Sequence, residues 1–153
     1  MTGMAAFWSV RQPQAKGSPM LDPHGALICT MMLVSAADRD MAETELKIIG
    51  DIVGDLPVFR DFDRQRLRGV LEECSRLLGG DNGLDEALKS IRKALPAKLR
   101  ETAYAIACDV AAADGEASQE ELRVLELIRH RLDIERLIAA GIERGAKARF
   151  QTL

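Results

Sequence analysis

Residues 34–46 read VSAADRDMAETEL and residues 110–122 read VAAADGEASQEEL. Laid over each other without a gap, so that Asp38 falls on Asp114, the two stretches share Val, Ala, Ala, Asp, Glu and Leu at positions 34, 36, 37, 38, 45 and 46 of the first copy. The likeness continues as Ile49 over Leu125 and Ile52 over Ile128. Each copy therefore runs from an apolar helix through an acidic corner into an amphipathic helix. A repeat of this kind implies two similar helical hairpins that bury their apolar stripes against each other.

Working outward, the apolar run Ala26 to Ala37 is too short to span a bilayer, which takes about 20 residues, and suits a buried core helix. A second helix is predicted over Glu43 to Leu56, with Leu46, Ile49, Ile52, Val53 and Leu56 on one stripe and Pro57 as its stop. A third runs from Asp63 to Leu78, with Leu67, Val70, Leu71, Cys74 and Leu78 on its stripe. It ends in Gly79 and Gly80, residues suited to a left-handed cap. The turn Asp81, Asn82, Gly83 leads to a short helix from Leu84 to Leu95, and Pro96 is placed in the first turn of a fifth that reaches about Ala113. Helices over Ser118 to Leu132 and Ile134 to Ala148 make seven. The reading is all-α: one helical domain over 21–153, with repeat halves of about 22–78 and 84–148. An arm at 1–20, broken by Pro13, Gly17 and Pro19, precedes it.

Composition agrees. Of 153 residues, 47% are hydrophobic and 29% charged, the balance of a chain that builds its own core, and aromatics at 4% leave little to favour strands. The net charge of −3 supplies no electropositive field for a phosphate backbone, so nucleic acid is excluded as an expected partner. Cys29, Cys74 and Cys108 form no C-x-x-C pair and sit in apolar helical patterns, which points to a reducing compartment. The opening residues look like neither a signal peptide nor a membrane span. The expectation is a cytoplasmic protein that is not an integral membrane protein.

Chemistry concentrates at the corners. On a wheel of about 100° per residue with Leu46 or Leu122 at the origin, Glu45 and Glu121 fall near 260°, within the apolar stripe, so they are expected to point inward. One corner can then gather Asp38, Asp40 and Glu45, the other Asp114, Glu116 and Glu121. Converging carboxylates need compensation, and a hard divalent cation with oxygen ligands is one solution. A capping box between Ser118 and Glu121 at a helix N-terminus is the other and needs no metal. In the first copy Ala42 replaces that serine, so capping accounts for Glu45 less directly. Both readings stay open.

The string AADGEASQEEL, with its repeat AADRDMAETEL, resembles the signature of the TerB-like tellurite-resistance family over about residues 22–148. That resemblance implies a seven-helix fold of two related halves and a cytoplasmic, stress-linked role without an enzymatic reaction. It also implies metal contacts by Asp38, Glu45, Asp114 and Glu121, and assembly with protein partners, membrane-bound ones or co-chaperone modules included. The chain departs from a uniform pattern at Arg39, where the second copy has Gly115, and at Ala42.

No catalytic residues are expected. A nucleophilic enzyme needs a base in reach, and the two histidines, His24 and His130, lie far apart without a partnering motif. His24 reads as part of a helix start and His130 as a solvated residue. The glycines of residues 79–83 lack the Lys and Ser or Thr of a phosphate loop. Lys89, Arg92, Lys93, Lys98 and Arg100, with Arg144, Lys147 and Arg149, outline a basic face. Ordinary solvated helix surface is one reading of it, and a docking site for an acidic partner or the anionic inner membrane surface is the other.

Overall fold

The computed structural model describes residues 21–37, 43–113 and 115–153, apart from the side chain of residue 44. Among these, seven α-helices and no strand are present: α1 Pro23–Ser35, α2 Glu43–Asp55, α3 Leu67–Leu78, α4 Gly83–Ala94, α5 Arg100–Ala112, α6 Gln119–Arg131 and α7 Arg136–Arg149. Short 3-10 turns precede α3 and α5 and follow α2.

α1 decides the arrangement. Asp22 caps it by accepting from the Gly25 amide at 2.7 Å, and Pro23 occupies the first turn, where its missing N–H costs nothing. Every residue from Gly25 to Ser35 is buried, so the helix has no wet side and must be surrounded. It packs most extensively on α5 and also touches α2, α3, α4 and α6. α5, its counterpart in the repeat, buries Ala103, Tyr104, Ile106, Ala107, Cys108, Val110 and Ala111. Three of these are alanines four residues apart, a flat stripe that lets another helix approach closely. The core is thus the pair of apolar helices, one from each half, wrapped by the amphipathic ones. Thr30, one of two buried polar residues in α1 with Ser35, donates its hydroxyl to the Ala26 carbonyl one turn back, at 2.7 Å.

The start of α1 is clasped to the connection after α2. His24 Nε2 lies 2.8 Å from the Val58 carbonyl, its ring stacks on Phe59, and Arg66 covers Phe62 while reaching Asp22 at 3.3 Å. Burial raises the pKa of Asp22, but the Gly25 amide and Arg66 outweigh it and hold the carboxyl below its usual value. His24 belongs to a helix start and His130 is exposed, as expected from the sequence.

Two local expectations need correction. Gly79 has φ −76° and ψ −8°, an ordinary right-handed conformation, and no left-handed cap closes α3. The chain instead makes a further turn, with the Gly79 amide bonded to Ser75 and Arg76, and then enters α4 so closely that glycine is needed at residue 83. A Cβ there would stand 2.0 Å from the Leu78 carbonyl oxygen. Pro96 is likewise displaced: it precedes the 3-10 turn Ala97–Leu99 that leads into α5, one turn ahead of the expected place.

The left-handed cap lies elsewhere, on a residue that gives no glycine signal. Asp133 has φ 54°. Its amide bonds to the His130 carbonyl at 3.2 Å and the next amide, Ile134, to Arg129 at 3.0 Å, the Schellman pattern closing α6. Asp133→Gly is expected to raise stability by up to about 1 kcal/mol. Relief of the left-handed strain exceeds the loss of the solvent-exposed ion pair with Arg92. Asp133→Ala keeps the strain, loses the pair and should be less stable than the parent, an ordering that urea denaturation would read directly.

Candidate functional site: two acidic corners

The two glutamates that the repeat singles out, Glu45 and Glu121, lie at the first turns of α2 and α6. Glu45 is 8% exposed and Glu121 3% exposed, whereas the next residues, Leu46 and Leu122, are 41% and 47% exposed. The acid thus points in and the leucine sits on the lip, in both halves. The sequence placed the glutamates within the stripe, and so they are. The leucines taken as the origin of the wheel lie at its wet edge.

In the second corner Gly115 has φ 104°, a conformation open to glycine at little cost, and turns the chain toward Ser118. Ser118 then caps α6. Its hydroxyl accepts from the Glu121 amide at 3.1 Å while Glu121 Oε1 accepts from the Ser118 amide at 2.8 Å. The capping box read from the sequence is therefore real and occupies one oxygen of Glu121. Glu116 is exposed to solvent. Asp38, Asp40 and Asp114 lie outside the described residues, and among those described no three Asp, Glu, His or Cys side chains come together as a metal cluster.

Three residues of the expected basic face, Lys89, Arg92 and Arg149, are engaged in ion pairs. Lys89 and Arg131 both pair with Asp85, Arg92 pairs with Asp133 at 2.8 Å and donates to the Arg131 carbonyl at 2.6 Å, and Arg149 pairs with Asp109. The hydrogen bond from Arg131, reinforced by Lys89, holds the Asp85 carboxyl below its usual pKa. Part of the charge expected on the basic face thus ties α4 to the end of α6 and α5 to α7.

The three cysteines are free and buried. A hydrogen bond with Cys74, together with burial, drives the Cys29 thiol far above its ordinary pKa, and burial pushes Cys108 up to about 12. Neither Cys29 nor Cys108 is a poised thiolate.

One feature escaped the sequence reading. A cleft of about 580 Å³ opens between α5, α6 and α7 beside the second corner. At its base Tyr104 donates to Glu143 Oε2 at 2.5 Å. Burial, then this bond, raises the pKa of the phenol. The signal available was the chain's sole tyrosine set in an alanine-rich helix, but its partner lies 39 residues away on another element.

Among the described residues no helix is long and apolar enough to cross a membrane. In comparison with known proteins, no curated protein and no solved structure matches the chain. The family model described as tellurite resistance protein TerB matches residues 24–140, from the first turn of α1 into α7. With its all-helical architecture and its doubled acidic hairpin, the chain belongs to the TerB family.

Proposed function

We propose that this chain is a non-enzymatic stress-response protein of the tellurite-resistance type, working in the cytoplasm, whose acidic corners hold a divalent cation. The observation that carries this reading is the burial of Glu45 and Glu121 at equivalent positions of the two hairpins. Burying a carboxylate twice at the same place is costly, and a bound divalent cation would compensate the charge in both halves. Their donor chemistry is all oxygen, as hard cations such as calcium or magnesium prefer. Glu45 and Glu121 would anchor the ions, with Asp38 and Asp40 on one side and Asp114 and Glu116 on the other completing the oxygen sets. The absence of enzymatic activity fits a family not known for catalysis, and three buried free thiols fit a reducing compartment.

The test is a titration of the full chain with calcium, magnesium, manganese and zinc, followed by backbone amide NMR. Saturable changes are expected at the starts of α2 and α6. Glutamine can still serve in a capping box, so Glu121→Gln should keep the helix while weakening the second site at least about tenfold. Amide positions near Gly115 and Glu121 that ignore all four ions, or binding indifferent to Glu121→Gln, reject the ion site.

A further inference from the structure

The cleft between α5, α6 and α7 has the chemistry of a binding site separate from the buried glutamates. Its lining joins an apolar surface, Leu125, Ala111 and the half-exposed Leu122, to the charged Glu116, Glu126 and Arg129. Its polar groups are unusually placed. Glu143 and Lys147 are one turn apart on α7, in the order that normally forms an ion pair along a helix. They form none here, and the Tyr104 hydroxyl bonds one oxygen of the Glu143 carboxylate. Both residues line the cleft, and both are exposed. An anion and a cation about 6 Å apart at their Cβ atoms, neither neutralising the other, stand over the cleft.

We infer that this cleft binds a small zwitterion, an α-amino acid with a bulky apolar side chain. Its ammonium group pairs with Glu143, its carboxylate with Lys147, and its side chain lies against Leu122 and Leu125. The volume is within the range of ordinary ligand pockets. A simple anion would meet the Glu143 carboxylate and a simple cation the Lys147 ammonium. A molecule carrying both charged groups on one carbon meets an opposite charge at each of them.

The experiment uses the full chain and three probes that share a phenyl group: L-phenylalanine, hydrocinnamate, which lacks the ammonium, and phenethylamine, which lacks the carboxylate. Amide NMR titration is expected to show saturable shifts with phenylalanine at Tyr104, Gly115, Leu125 and Lys147, and at least about tenfold weaker binding of the other two. Lys147→Met should weaken phenylalanine at least about tenfold and bring it level with phenethylamine. Glu143→Gln, which keeps an acceptor for Tyr104, should bring it level with hydrocinnamate. Both positions are exposed, so the variants should retain the parent's helical circular dichroism. Phenylalanine failing to shift these amides at about 10 mM overturns the inference. Hydrocinnamate or phenethylamine binding as tightly as phenylalanine overturns it too, the first outcome marking a plain anion site and the second a plain cation site. No metal is needed in this assay, so it stands or falls apart from the ion titration.

Discussion

Gly83→Ala is expected to cost about 3 kcal/mol, at the upper end of what overpacking does in a folded chain. At this position a Cβ would stand 2.0 Å from the oxygen, 2.5 Å from the carbon and 2.8 Å from the Cα of Leu78. All three are backbone atoms at the end of α3, so no side chain can swing aside, and relief requires moving one helix relative to the other. α3 and α4 both pack on α1, and that shift would spread into the core. Alanine's better helix propensity, about 1 kcal/mol, acts in the opposite direction and is outweighed. Gly80→Ala is the control: its Cβ would meet nothing nearer than the Leu77 oxygen at 3.8 Å, and it should change stability by less than about 0.5 kcal/mol. Denaturant unfolding that places the two variants together would mean that the α3 to α4 junction yields freely.

Leu27→Ala should cost as much or more, about 2–5 kcal/mol. Leu27 is fully buried in a helix that is buried on all sides, so the lost methyl groups leave a cavity bounded by elements already packed on every face. Collapse into it is restricted, and restricted collapse puts a large-to-small change toward the high end of its range. Leu137→Ala removes the same atoms from a strongly exposed position on α7 and should be nearly silent. A thermal melt distinguishes them: roughly 2–4 °C is lost per kcal/mol in a chain of this size, so Leu27→Ala should fall by several degrees and Leu137→Ala by almost none.

These expectations show which features the sequence could carry. Proline and the hydrophobic period mark helices because they act on neighbouring residues. Pro57 stops α2, and the unbroken run from Ala26 announces a helix without a solvated face. The inward turn of Glu45 and Glu121 was legible for the same reason, since helical geometry alone fixes which side a residue occupies. What failed was decided at a distance. Gly79 followed by Gly80 looks like a left-handed stop, yet the glycine that matters is Gly83, needed for a contact between two helices. The left-handed residue at the end of α6 is Asp133, held there by its neighbours' hydrogen bonds. Arg92 of the basic face pairs with Asp133 at the end of α6, a residue the local pattern does not connect to it. Tyr104 and Glu143 meet only because α7 lies along α5.

The pairing of α1 with α5 bears on how such a molecule can be divided. Each half contributes a largely apolar rod, α1 without a wet side and α5 with Glu101 and Asp109 on its outer edge, and the other half supplies much of its shelter. Cleaved at the bend between α3 and α4, neither piece could shield its own rod from water, and each would seek a stand-in, the complementary piece first and a duplicate of itself otherwise. The duplicated hairpin is thus joined by one continuous backbone in which each half closes the core of the other.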